Sequence, residues 1–290
     1  MAYILNNIPV SFKDELLGAI EERSALAQVA PTTRISLGDN LMTFSLGLQP
    51  APIVGGTTGS NLPGETEMKP VQGVSEFVTA RTYKFAQIIP ISAEYMYQLP
   101  RLYDEIIRQA PETIALGVDQ QAFCASTAQQ GFASFNVAEN LYAAYEAAPF
   151  SYTSLTGAFQ DIAANGHRPN AIIAGPTAEV ALMTMTAEDG RPVFGNGADG
   201  VARVFGARVI GSELLNDASV PAAIVGDFRK CRLGFVDDIR LKILEEATLT
   251  VGNTTLNLAQ QNLIGVLIEG HAAFMAAEGA FARIGGTVDE

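Results

Sequence analysis

Hydrophobic spacing divides the chain into stretches of different period. Ser11 can cap a helix with Asp14 at its third position, and Leu16, Leu17, Ile20 and Leu26 follow at three- and four-residue spacing, which predicts a short amphipathic helix. From Pro31 the pattern alternates. Arg34-Ile35-Ser36-Leu37 and Leu41-Met42-Thr43-Phe44-Ser45-Leu46 place apolar and polar residues in turn, as half-exposed strands do.

Between Pro50 and Pro70 the pattern breaks at Gly55-Gly56, Gly59, Pro63-Gly64 and Lys69-Pro70, which excludes helix and predicts a long projecting loop. Phe77 to Ile89 then alternates and is β-branched, so the loop reads as a long hairpin carried by two strands. A loop of this length is suspect inside a compact domain, and it is expected to pack on something outside its own. From Ser92 the period turns helical. Leu102, Ile106, Ile107, Ile114, Val118 and Phe123 form one stripe that predicts a helix of about 25 residues, kinked at Pro111.

The middle third mixes both periods. A helix starts at a Thr153 or Ser154 cap, runs through Ala164 and ends at Gly166; Asn170 to Ala174 reads as a buried strand, and a second helix runs from Pro176 to about Thr186. Arg203–Ile210, Ala222–Val225, Lys230–Val236 and Arg240–Leu244 are strand-like. The closing stretch Asn262–Ile284 is nearly uncharged, which predicts buried sheet returning to the domain of the long helix. No internal repeat is evident.

Composition narrows the function. The 290 residues are 48% hydrophobic and 17% charged, a folded composition, and carry a net charge of −13, which repels phosphate backbones and argues against general nucleic-acid binding. Cys124 and Cys231 are too few to staple a secreted scaffold and too far apart for a metal knuckle, which favours a reducing compartment. No apolar run approaches the roughly 18 residues of a bilayer span. Ordinary catalysis finds little support. Gly195-Asn196-Gly197-Ala198-Asp199-Gly200 spells G-x-G-x-x-G, with Glu213 and Asp217 downstream, but it runs into β-like residues where a dinucleotide motif should open a helix. His167 and His271 lack partners at metal-ligand spacing, and no G-x-S-x-G elbow appears. No cofactor and no metal are expected.

The order of arm, Gly/Pro-rich hairpin, long helix, α/β insertion and apolar closing sheet resembles the major capsid proteins of tailed bacteriophages, whose fold is the Hong Kong ninety-seven type. Ser24-Ala25-Leu26-Ala27-Gln28-Val29-Ala30 resembles the opening of the family's arm. Gly64–Phe77 resembles the end of its extended E-loop, and Ile89-Pro90-Ile91-Ser92 the approach to its spine helix. Arg168–Ile173, Asp189–Phe194 and Val225–Phe228 resemble successive segments of its axial domain. The similarity spans roughly residues 24–284. The chain departs from the family pattern at Ile53-Val54-Gly55-Gly56, where a tryptophan often stands, and it lacks the built-in scaffolding segment of some members. The resemblance then implies a separate scaffolding protein or prior cleavage.

Some members weld their shells, joining a Lys-Pro lysine of the E-loop to an Asn of a neighbour, with a Glu seven residues after that Asn as base. Lys69-Pro70, Asn262 and Glu269 match these positions. A neutral amine must lose its proton to attack a carboxamide, and a carboxylate set among Val266, Leu267 and Ile268 is expected to have its pKa raised toward that task. Each residue also has a bland reading: Lys69 as a solvated loop lysine, Asn262 as a turn residue, Glu269 as half of an ion pair. On one regular strand Asn262 and Glu269 would face opposite ways unless Gly265 bulges, although the three residues can come from three subunits.

The expectation is thus an α+β capsid fold of the Hong Kong ninety-seven type, with an N-terminal arm (residues 1–49), an E-loop (50–90), a peripheral domain with the spine helix (91–150 and 241–290) and an α/β axial domain (151–240). It implies a virion protein, assembled in the host cytoplasm, that forms pentamers and hexamers around DNA, with portal, scaffolding and decoration proteins as partners and no turnover activity beyond one autocatalytic bond. An encapsulin-type shell is the alternative, and a dinucleotide-binding enzyme using Gly195 to Gly200 the remote one.

Overall fold

The computed structural model describes residues 18–35, 41–45, 77–92, 99–125, 132–136, 142–145, 150–186, 191–194, 201–217, 220–236, 240–251 and 254–285. The fold is mixed α+β. Residues 18–23 are helical, and the short helix α1 (Ala25–Val29) follows. The other helices are α2 (Leu99–Phe123), α3 (Tyr152–Ala164) and α4 (Pro176–Thr184). Helix α2 has the 25-residue length that its stripe predicts, and Ile114, Val118 and Phe123 of that stripe are buried. Pro111 lies inside it.

One sheet is organised by β14 (Leu263–Ala276), whose alternating residues Ile264, Val266 and Ile268 are buried while Leu267, Glu269 and His271 reach the other face. Along one edge β4 (Tyr83–Ser92) pairs antiparallel with it, from Leu263 opposite Ser92 to Ala272 opposite Tyr83. Along the other edge run β11 (Arg240–Leu244) and β10 (Cys231–Val236), both antiparallel, and β1 (Thr32–Ile35) adds parallel to β10. Helix α2 packs against this sheet. Thr248–Val251 (β12) and Thr254–Asn257 (β13) form a separate hairpin.

The second sheet has six strands in the order β5-β15-β9-β6-β8-β7, namely Tyr142–Tyr145, Phe281–Ile284, Ala223–Gly226, Ala171–Ala174, Ala207–Gly211 and Arg203–Val204. Strands β6, β9 and β15 are buried at every residue, as central strands covered by helices are. Leu155 and Ile162 of α3 and Leu182 of α4 pack with Ile172, Val204 and Val225 in its core. Six fully buried phenylalanines join the two sheets and the long helix. Phe135 stacks within 6.2 Å of Phe123 on α2, 5.4 Å from Phe274 on β14 and 5.1 Å from Phe281 on β15. Phe132 and Phe228 extend the cluster through Phe274 and Phe281.

Leu41–Ser45 (β2) and Phe77–Arg81 (β3) pair into a two-stranded sheet, which agrees with a hairpin carried by two strands. Residues Thr43–Thr79 form a compact unit of their own. The first turns of the Ser11 helix, the loop from Pro50 to Pro70 and the Gly195–Gly200 motif lie outside the described residues.

Three local expectations are corrected. Helix α3 is capped by Ser151, not by Thr153 or Ser154: the Ser151 hydroxyl accepts from the Ser154 N–H and the Ser154 hydroxyl from the Ser151 N–H, a reciprocal box that a serine can close in place of glutamate. Arg203–Ile210 is a tight hairpin, not one strand, because Phe205 (φ 50°) and Gly206 (φ 86°) both turn left-handed, as two-residue hairpins require. The apolar closing stretch divides after Ala276: β14 lies against the long helix, whereas β15 joins the other sheet.

Candidate functional site

Asn262 closes an exposed turn between β13 and β14. Its φ of 51° is left-handed, a conformation asparagine tolerates better than most residues, and the Leu263 N–H donates to the Leu258 carbonyl at 2.9 Å to fix the turn. The turn presents the Asn262 side chain to solvent. Glu269 stands farther along, on β14, where the pairing with β4 and β11 runs without interruption through Gly265. No bulge therefore resets the parity; Asn262 lies before the strand, and alternation does not reach it.

Six residues of extended chain separate Leu263 from Glu269, about 20 Å at 3.3 Å per residue. Asn262 and Glu269 of one subunit accordingly cannot share one reaction centre. Glu269 is also engaged: the Lys84 ammonium donates to its Oε1 at 2.7 Å, and Arg240 is opposite it in the β11 register. This is the ion pair of the bland reading. Lys69 lies outside the described residues, so the three positions are not brought together within them.

A carboxylate that the residue patterns did not single out sits between α1 and the long helix. Asp119 of α2 accepts from the Ser24 hydroxyl at 2.6 Å, the Ala25 N–H at 2.7 Å and the Leu26 N–H at 3.4 Å, so it supplies the N-terminus of α1 with an anion. Burial outweighs these hydrogen bonds and raises its pKa to about 6. A second contact beside α1, the Arg23 to Glu112 ion pair, lies two turns back along α2. The sequence signal was an aspartate beside Val118 on the buried stripe, too common in helices to single out alone.

Among the described residues no group of three or more His, Cys, Asp or Glu side chains is placed to hold a metal, and no helix is long and apolar enough to cross a membrane. Both thiols are suppressed. Burial pushes Cys231 up to about 12, and burial with Asp217 and Asp119 nearby also raises Cys124.

The sequence profile of the phage capsid family matches residues 6–281. The chain belongs to the phage capsid family. It is therefore a structural component of a virion. No curated protein matches it. Solved structures agree in fold: one from Microbacterium phage Oxtober96 has TM-score 0.63 at 18% identity, covering 91% of each chain. One from Mycobacterium phage Cain gives 0.62 at 17% identity over 99% of this chain and 96% of that one. The capsid of an empty GTA particle gives 0.54 at 13% identity over 99% and 94%. This phage capsid protein thus shares the architecture of phage shells, consistent with the Hong Kong ninety-seven type.

Proposed function

We propose that this phage capsid protein is the major shell subunit, assembling as pentamers and hexamers into an icosahedral head that encloses DNA without reading its sequence. The observation that carries the reading is a capsid-family match over nearly the whole length. The β14 sheet with α2 acts as the peripheral domain, the six-stranded sheet with α3 and α4, to which β5 and β15 contribute strands, acts as the axial domain, and 1–49 and 50–90 act as the arm and E-loop that reach across neighbours. Assembly takes place in the host cytoplasm with portal, scaffolding and decoration proteins as partners.

In the finer part of the proposal, Lys69 of one subunit is joined to Asn262 of another. The Lys69 amine attacks the Asn262 carboxamide carbon, Glu269 takes the amine proton and hands it to the amide nitrogen as the bond from that nitrogen to the carbon breaks, and ammonia leaves behind an isopeptide. Because about 20 Å of strand from Leu263 onward separates the Asn262 turn from Glu269, the base comes from a different subunit than the Asn. Its pair with Lys84 must open first.

Denaturing electrophoresis of sedimented particles with intact-mass readout tests both levels. A ladder of covalent oligomers, each bond short by one ammonia and abolished by Lys69→Arg, supports the welded shell. A single 30.7 kDa band from intact particles keeps the shell and removes the bond; absence of particles removes the shell reading itself.

A further inference from the structure

Hairpin β7–β8, at the outer end of the six-stranded sheet, and helix α4 border a cavity of about 430 Å³, within the roughly 300 to 1,000 Å³ of small-molecule sites. Arg203, Arg208 and Glu179 line it, together with Leu182, Val201 and Gly211. The two arginines stand directly opposite each other across the hairpin. The Val209 N–H donates to the Ala202 carbonyl at 3.1 Å and the Arg208 N–H to the Asn170 carbonyl at 3.0 Å, so the arginines form a non-hydrogen-bonded pair, the kind whose Cα atoms approach to about 4.5 Å. Like charges so opposed destabilise a hairpin. Both arginines are exposed, and among the described residues neither forms an ion pair. Glu179, in the first turn of α4, is half-buried and has no ion pair among the described residues either. Its Oε1 occupies the space a Cβ at position 211 would need, so it is Gly211 that admits this carboxylate to the sheet. Gly211 lies three residues along β8 from Arg208, about 10 Å at 3.3 Å per residue. The cavity therefore has a cationic end and an anionic one.

A net charge of −13 repels anions at a distance, but salt screens that field beyond about 8 to 10 Å and leaves contact to the local charges. Two guanidinium forks match the nearly double charge of a phosphomonoester better than the single charge of a carboxylate. At the other end Glu179 can only accept, so the same ligand must bring N–H donors to it. A guanine edge offers one carboxylate two adjacent N–H groups, whereas adenine offers one beside an acceptor. We propose that this cavity binds a guanine nucleoside monophosphate, with the phosphate between Arg203 and Arg208, the guanine edge on Glu179, and Leu182 and Val201 supplying apolar wall. The free nucleotide and a DNA end with a terminal phosphate on guanosine carry the same chemistry. The inference goes beyond the shell reading and does not rest on it, because every lining residue belongs to one subunit.

The test is calorimetric titration of the unassembled full-length subunit with deoxyguanosine monophosphate, deoxyadenosine monophosphate and inorganic phosphate. The guanine nucleotide should bind one to one and at least about tenfold more tightly than the other two. Arg203→Gln and Arg208→Gln should each weaken it by at least about tenfold, a lost charge-assisted contact. Glu179→Gln should erase the preference for guanine over adenine while leaving inorganic phosphate binding unchanged. Gly211→Ala, whose Cβ would displace the Glu179 carboxylate, should do the same without removing a charge. Circular dichroism checks the fold of each variant. Competition by a short oligonucleotide with a terminal phosphate on its guanosine would support the proposal with a DNA end as the ligand, and its failure to compete would support the free nucleotide. No binding of the guanine nucleotide by the folded subunit, binding that neither arginine variant weakens, or a guanine preference that survives Glu179→Gln overturns the proposal. Normal particles from a subunit that binds no nucleotide would remove this inference and leave the shell reading standing.

Discussion

Asp119 gives the sharpest quantitative expectation. Asp119 is 4% exposed and burial raises its pKa to about 6 from the ordinary 3.8, which corresponds to about 3 kcal/mol of preference for the protonated form in the fold. Because the folded value is the higher one, the contribution is fully present below pH 3.8 and is lost as pH rises through 6. Acid therefore raises the net contribution of Asp119 to folding stability, because relief of the buried charge outweighs the weaker hydrogen bonds to α1. The isoelectric point of 4.6 sets the lower limit for a soluble subunit, so the useful window runs from about pH 7.5 to about pH 5.2, across which Asp119 should add about 1 kcal/mol. The perturbation is Asp119→Asn, which keeps the shape and a carbonyl acceptor for Ala25 while removing the charge. Urea unfolding of unassembled subunits at the two pH values should show the wild type gaining about 1 kcal/mol more than the variant on acidification. Asp119→Ala, which leaves the Ser24 hydroxyl and Ala25 N–H buried without their acceptor, should cost about 2 to 5 kcal/mol at either pH. A wild-type minus Asn difference that is flat with pH would refute the buried-anion account, and one of opposite slope would mean that the hydrogen bonds outweigh burial.

Other expectations are simpler. Gly226 on β9 faces the Phe281 ring so closely that an added Cβ would lie 2.2 Å from Phe281 Cδ1, so Gly226→Ala should cost about 1 to 3 kcal/mol by overpacking; an unchanged thermal midpoint would contradict it. Cys231, fully buried with its thiol raised to about 12, should resist iodoacetamide at about pH 8 until the subunit unfolds. Cys124, only partly buried, should alkylate first, although slowly because its pKa too is raised; mass spectrometry of partly labelled subunit with Cys231 ahead would refute the assignment.

The sequence by itself determined the local elements, because the period of apolar residues is a property of neighbouring positions. The 25-residue helix follows from Leu102 to Phe123, the buried strand Ala171–Ala174 from its unbroken apolar run, and the two helices around it from Ser, Gly and Pro signals. Where a signal had equivalents nearby, as with Ser151 against Ser154 at a helix start, only backbone geometry chose between them. The resemblance to phage capsid proteins also rested on the order of elements along the chain, and the family match bears it out.

Tertiary structure decided the rest. Pairing β14 with β4 joins residues more than 170 positions apart, and nothing in either segment names its partner. The separation of Asn262 from Glu269 follows from the strand that begins between them, whereas the Lys84 to Glu269 pair depends on a register set across two strands. Asp119 shows the limit most plainly. A single acid on a helical stripe becomes an anchor only when the N-terminus of α1, ninety-odd positions earlier, folds back onto it and hides it from water. Local periodicity is written in the chain; desolvation and charge pairing are made by what folding brings near, and those decide what a titratable group can do.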